Sequence, residues 1–342
     1  MMPKNIIATL AAGLLSAALL LAVAIGQPGA LIFAYLAPLP IYCLGLAMGY
    51  RLAAVAVVGG SVAIALTTTV LVGLGYLAVI GAPAVILLQR ALLARAGDKA
   101  TGAIEWYPAG QLTVWWAGIA AAWMIAAVIY AASDGIEMVI REFLLNFFEV
   151  AIQALSSAPI QLEPAEFVDV IAPTFLAMIA ISGALMHAIN ATLAQGVLVR
   201  FGRNLRPSPA LSDVVLPRPL APVLGVVVIM AWLLDGTLGY LAQNLVVIGV
   251  LPYIIGGLSI VHLAAAQTTA RLTWLIGFYL FFLMAVNYLS IVLVIIGVAD
   301  QWIDLKKHVL RLKSQRLGAA NSTRKDERNR DNDVANDDDQ DR

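Results

Sequence analysis

Charge is what this sequence has least of. Asp, Glu, Lys and Arg make up 12% of its 342 residues, against about 25% in an ordinary soluble domain. There is too little polar surface for the two or three soluble domains that the length would otherwise hold. Cysteine is nearly absent too. Cys43 stands alone inside an apolar run, so it forms no internal disulfide or thiolate cluster and reads as a small buried apolar residue. The chain has no His-Glu-x-x-His, no phosphate-binding Gly-x-x-x-x-Gly-Lys-Ser/Thr and no Gly-x-Ser-x-Gly, which leaves zinc-protease, nucleotide-hydrolase and nucleophile-elbow chemistry without a basis. No acid pair lies in its apolar runs, which disfavours an aspartyl protease. No basic, aromatic-rich soluble module is present, so nucleic acid is not an expected partner. No cofactor is implied.

What is there is apolar. Hydrophobic residues make up 61% of the chain, and the mean hydropathy is +0.88. No charged residue occurs between Lys4 and Arg51, Arg51 and Arg90, Glu105 and Asp134, Asp169 and Arg200, Arg218 and Asp235, Asp235 and Arg271, or Arg271 and Asp300. A membrane-spanning helix needs ~20 apolar residues to cross a hydrocarbon core ~30 Å thick. Residues 5–50 exceed one span and break at Gly26-Gln27-Pro28-Gly29, a turn sequence. Residues 52–93 would make a single helix of roughly 63 Å, so a break is expected at Gly73-Leu74-Gly75. The expected helices lie near 6–26, 30–50, 52–72, 76–94, 113–132, 172–199, 220–235, 244–266 and 272–299.

Lys/Arg asymmetry orients them. Segment 89–112 carries Arg90, Arg95 and Lys99, and segment 200–219 carries Arg200, Arg203, Arg206 and Arg218. Segment 133–172 has seven acids and one base, Arg141. The basic segments are therefore expected in the cytoplasm and the acidic one outside, with the N-terminus inside on an uncleaved first span. The basic run Lys306, Lys307, Arg311, Lys313 and Arg316 also belongs inside, which requires one of the last three apolar segments not to cross. Residues 220–235, short and preceded by Pro217 and Pro219, are the weakest. The expectation is an all-α transmembrane helical bundle of eight full spans plus one partial segment, with nine spans as the alternative.

The organisation follows. Residues 1–320 form an integral membrane domain with an outer acidic segment at 133–172 and a basic loop at 200–219. Within the outer segment, residues 136–155 place Glu137, Arg141, Glu142, Asn146 and Glu149 at helical spacing opposite an apolar face. That pattern suits a helix lying on the outer leaflet or capping the bundle. Residues 321–342 carry eight acidic and five basic residues and almost nothing apolar, the composition of a disordered tail.

Several local patterns carry a family resemblance. Asn190-Ala-Thr-Leu-Ala-Gln195 leads into Arg200-Phe-Gly-Arg-Asn-Leu-Arg206-Pro207-Ser-Pro209; Asn244-Leu245 precedes Gly256-Gly257-Leu258-Ser259-Ile-Val-His262; and Gly297-Val-Ala-Asp300-Gln-Trp302-Ile-Asp304-Leu-Lys-Lys307 closes the last span. Together these resemble the YybS-like family of bacterial membrane proteins, over roughly residues 6 to 310. That family is grouped by distant similarity with the substrate-binding S components of energy-coupling-factor transporters, which are helical bundles that bind a vitamin or metal ion. The resemblance implies a multi-pass protein of the bacterial inner membrane and a transport-related role. The chain departs from S components in having more than six spans and an acidic outer segment, and no vitamin-site residue carries over.

Polar groups inside spans are the first functional candidates, because burying them unpaired costs several kcal/mol. His187 and Asn190 share a helix face, His262 and Ser259 another, and Asn287 lies in the last span. One reading gathers His187, Asn190 and Asn287, with His262 a further candidate, around a small-molecule ligand. The other has these groups hydrogen-bond across helices and hold the bundle together. Thr67, Thr68 and Thr69 read as structural, their hydroxyls bonding back to their own helix. Arg200, Arg203, Arg206 and Arg218 set topology or dock a membrane-protein partner or anionic lipid. Gly45 and Gly49 are spaced for helix packing. Three functions stay open: small-molecule binding or transport, a non-transporting scaffold or assembly factor, and, least supported, an intramembrane enzyme resting on the histidines alone. The expectation is a non-enzyme.

Overall fold

The computed structural model describes residues 3–25, 29–97, 103–130, 135–155 and 164–311. The chain divides into two compact units, Met1–Pro252 and Tyr253–Arg342. It is an all-α polytopic bundle. Among the described residues, eight helical runs are long and apolar enough to cross a membrane: Lys4–Ala24, Ala30–Met48, Tyr50–Thr67, Val70–Ala91, Ala109–Tyr130, Ala165–Arg200, Gly236–Ala265 and Val286–Ile303. Leu220–Leu233 and Arg271–Met284 are apolar but shorter, so the 220–235 segment is short as expected.

In the first unit, α1 is Pro3–Leu21, α2 Ala30–Tyr35, α3 Leu39–Met48, α4 Tyr50–Thr67, α5 Val70–Tyr76 and α6 Ala82–Ala91. The break expected at Gly73-Leu74-Gly75 falls earlier, at Thr68-Thr69. Thr67 and Thr68 donate to the carbonyls of Ala63 and Ile64 at 2.9 and 2.7 Å. Thr69 then caps α5, accepting from Val72 N at 3.3 Å, as N-cap threonines do. The Thr run is thus structural and is itself the turn. Gly73 instead lets α5 fold back against α4: Ser61 Oγ donates to Gly73 O at 2.8 Å, and a β-carbon on Gly73 would sit 2.7 Å from Ser61 O. The same logic joins α1 to α4, where a β-carbon on Gly60 would meet Gly13 O at 2.8 Å. Gly45 does pack closely, against Leu88, but Gly49 has φ 101° and is the turn between α3 and α4. The turn expected at residues 26–28 lies outside the described residues, though Gly29 takes the left-handed φ of 88°.

A short antiparallel hairpin, β1 Ala94–Ala96 with β2 Ile104–Trp106, interrupts the helices. It is pinned by an exposed Arg95–Glu105 ion pair at 2.7 Å. Then come α7 Ala109–Tyr130, α8 Ile136–Leu155, α9 Pro164–Ile171, α10 Phe175–Arg200, α11 Leu220–Leu233 and α12 Gly236–Gly249. The expected amphipathic helix is α8. It buries Ile136, Ile140 and Leu144 against Val128 of α7, Ala172 and Tyr240, and Arg141 pairs with Asp169 of α9. Asn244 of α12 knits the start of α10. Its Oδ1 accepts from Ala177 N at 3.0 Å, and its Nδ2 donates to Pro173 O and Tyr240 O at 2.8 and 2.9 Å.

The second unit carries α13 Leu251–Ala265, α14 Arg271–Met284 and α15 Val286–Ile303. The last span, expected as one helix over 272–299, is two, broken at Ala285 with φ −126° and ψ 37°. No proline or glycine marks that break. Gly257 faces the backbone of Leu293 and Gly297 that of Tyr253, which brings α13 and α15 into backbone contact. Lys307 pairs with Asp304 at 2.7 Å. Lys313, Arg316 and the 321–342 tail lie outside the described residues.

Candidate functional site

Three prolines shape the site, because proline brings no N–H to the carbonyl four residues upstream. Pro38 and Pro40 interrupt the span Ala30–Met48. Ala37 N turns to Ala34 O at 3.1 Å and Leu39 N to Leu36 O at 3.0 Å. Leu39 N is thereby withdrawn from Tyr35 O, its α-helical acceptor. Pro83 acts likewise in the span Val70–Ala91. It cannot serve Val79 O, and the backbone widens into a π turn over Leu77–Gly81 in which Ala82 N bonds Leu77 O rather than Ala78 O. Such turns often mark functional sites. Carbonyls released inside an apolar bundle must find other donors.

Side chains supply them. Asn190 Nδ2 donates to Tyr35 O at 2.7 Å. Ser16 Oγ donates to Ala37 O at 2.6 Å and accepts from Tyr76 Oη at 2.8 Å. Trp123 Nε1 donates to Ala78 O at 3.2 Å. His187 Nε2 lies 2.9 Å from Val79 O and its Nδ1 3.0 Å from Tyr42 Oη. A carbonyl only accepts, so Nε2 carries a proton, and in the neutral ring Nδ1 accepts from the Tyr42 hydroxyl. His187, 1% exposed, has both ring nitrogens engaged. Its ring packs edge-on to Tyr42 and tilted against Trp123, each with centroids 6.0 Å apart.

Asn190 is fully buried and differs from Asn244 in one atom. Its Nδ2 also donates to Met186 O at 2.7 Å. Two carbonyls on Nδ2 fix the amide's orientation, since a flip would set oxygen against oxygen. Its Oδ1 is buried without a hydrogen-bond partner, whereas Asn244 Oδ1 is paired. A buried acceptor left open costs ~1–3 kcal/mol.

The structure therefore brings His187 and Asn190 together on α10, facing the two broken spans. His262 and Asn287 belong to the second unit. His262 Nε2 lies 2.7 Å from Tyr279 Oη, and Asn287 is exposed on α15. Ser16, Tyr35, Tyr42, Tyr76 and Trp123 were not singled out from the sequence. The signals that would have found them are Pro38, Pro40 and Pro83 inside apolar runs, which require outside donors for the turns around them.

The arginines of the 200–219 loop separate. Arg200, Arg203 and Arg218 are exposed, but Arg206 is 7% exposed. Its Nη1 and Nη2 donate to Ala91 O at 2.7 Å and Tyr107 O at 2.9 Å, closing the C-terminus of α6. Gln195 Nε2 and Asn204 Nδ2 donate to Arg206 O at 2.7 and 2.8 Å, and Leu205 N donates to Leu46 O at 2.9 Å. Burial pushes the Arg206 pKa down. Among the described residues, no group of three or more His, Cys, Asp or Glu is placed to hold a metal ion.

Neither a curated protein nor a solved structure matches the chain. One family does, over residues 14–301, a stretch that begins midway through the first span and ends just short of the end of the last. The chain belongs to the family described as Predicted membrane protein (DUF2232).

Proposed function

We propose that this multi-pass membrane protein binds a small polar molecule inside the bilayer, where the broken spans Ala30–Met48 and Val70–Ala91 meet α10. One observation carries the reading. Asn190 Oδ1 is a fixed, fully buried acceptor with no donor among the described residues, beside backbone that has left the α-helical pattern. Membrane transporters build midplane sites from discontinuous helices of this kind. The ligand is one that brings an N–H or O–H donor. The engaged nitrogens of His187 support a role in shaping the site and a non-enzymatic protein. The family resemblance of the C-terminal half supports an S-component-like, transport-related role in a bacterial inner membrane, with the basic loop and both termini in the cytoplasm. Native mass spectrometry of gently purified protein tests the reading. A small molecule should co-purify with the wild type and be absent from N190A; a wild type free of small molecules, or a ligand retained by N190A, would overturn it.

A scaffold role is the second reading, favoured by Arg200, Arg203 and Arg218 exposed around a loop that Arg206 holds in place. A protein partner lost from a triple Arg-to-Gln variant at those positions, with no small ligand found, would favour it.

A further inference from the structure

Two arginines at the basic end of the first unit have no carboxylate partner among the described residues. Ion pairs join Arg95 to Glu105, Arg141 to Asp169 and Lys307 to Asp304, and neither Arg90 nor Arg206 pairs with a described carboxylate. A buried guanidinium without a counter-ion is costly. Arg206 is 7% exposed and meets only backbone carbonyls, its guanidinium carbon 5.9 Å from the Trp106 ring centroid. Arg90 is half-buried and lies 4.3 Å over the Trp115 ring, and its Nε is buried with no hydrogen-bond acceptor.

The two are joined through one chain of contacts. Trp115 Nε1 donates to Tyr107 Oη at 3.0 Å, and Tyr107 O accepts from Arg206. Tyr107 also lines a cleft of about 340 Å³ together with Trp106, Pro108, Gln111 and the paired Arg95 and Glu105, while Arg90, Trp115 and Arg206 stand behind that lining. The cluster therefore has two guanidinium groups without a carboxylate among the described residues, an aromatic platform that fixes one of them, and a cleft that it reaches through Tyr107. It lies at the end of the spans Val70–Ala91 and Ala109–Tyr130, where the bilayer's headgroups would be.

We propose that this Arg90–Trp115–Tyr107–Arg206 cluster binds a phosphate-bearing anion, with Arg90 as its principal donor. Guanidinium donors match phosphate oxygens in fork geometry, and basic recesses between spans take anionic lipid headgroups. The site is separate from Asn190 and does not depend on the function proposed above.

The test uses full-length protein in zwitterionic-lipid nanodiscs. One arm titrates in phosphatidylglycerol, and the other adds inorganic phosphate alone. The variants are R90K, which keeps the charge but not the fork, and R51K as control, since Arg51 is exposed. Bound anion should fall about tenfold in R90K, the loss of one strong charge-assisted hydrogen bond, and stay unchanged in R51K. Arg90-dependent binding in the lipid arm identifies a headgroup; in the phosphate arm, it identifies a soluble phosphate compound. Equal binding by wild type and R90K in both arms, or an equal loss in R51K, would overturn the site. If R90K does not fold, W115L repeats the test, because it removes the platform and leaves both charges.

Discussion

His187 Nε2 donates to the carbonyl oxygen of Val79, 2.9 Å away, the oxygen to which Pro83, four residues on, brings no N–H. The histidine thus replaces a backbone N–H that the sequence has removed. Substituting His187 by Phe should cost about 2 kcal/mol by stranding a buried acceptor. The same substitution in a P83A background should cost less than half as much, since P83A supplies an N–H that reaches Val79 O once the π turn reverts to the α-helical register. Thermal unfolding of the four proteins in detergent measures the coupling. Equal costs in both backgrounds would show that His187 and Pro83 act independently.

Asn190 and Asn244 make a matched pair. Both are fully buried, and each donates from Nδ2 to two carbonyls. Only Asn244 also accepts, from Ala177 N. In protein stripped of small molecules, N244A should therefore destabilise by about 1 kcal/mol more than N190A, because a bound ligand would add its own stabilisation to the cost of losing Asn190; N190A alone should release the proposed ligand. A larger stability loss in N190A would mean that its Oδ1 has a protein partner.

The spans were legible in the sequence because lipid excludes charge: seven charge-free intervals outlined the bundle. Segment 220–235 was recognisable as short from its length and flanking prolines. The amphipathic period of 136–155 gave α8. The local breaks were harder to read. Gly73-Leu74-Gly75 looks like a turn, but glycines in membrane helices also serve close packing, and Ser61 shows that Gly73 does the latter. The break at Thr68-Thr69 depends on hydroxyls that bond equally well within a continuous helix. At the site, His187 and Asn190 were visible as polar residues in an apolar run, but their partners are backbone oxygens, which no residue type reveals. Ser16 and Trp123 read as ordinary span residues until the turn they cap is located. Arg206 looked like its neighbours, and only the fold separates it from Arg200 and Arg203.

Helix packing gives a third prediction. G60A and G73A should each cost about 1–3 kcal/mol, because a β-carbon at either position would press on a backbone oxygen, at 2.8 and 2.7 Å respectively. Gly59 has nothing within 4 Å of such a carbon, so G59A should be neutral or stabilising. Unfolding midpoints of the three variants in one detergent check this, and a G59A loss equal to that of G60A would contradict it.

The hairpin gives a pH dependence. Hydrogen bonding and charge attraction from Arg95 hold the Glu105 carboxyl below its ordinary value. The pair is therefore intact above the ordinary glutamate range and is lost as pH falls through the lower midpoint of Glu105 itself. An NMR titration of the Glu105 side chain should show that lowered midpoint and return it to the ordinary value in R95Q. A wild-type midpoint at or above the ordinary value would show that the pair does not form.

The most direct test of the proposed site is a high-resolution cryo-electron microscopy map of the protein in lipid nanodiscs, read at Asn190. The account predicts non-protein density within ~2.7–3.2 Å of Oδ1, with Nδ2 still on Tyr35 O and His187 still on Val79 O. A dry contact in which a protein donor has turned onto Oδ1 would contradict it and leave the junction a purely structural one.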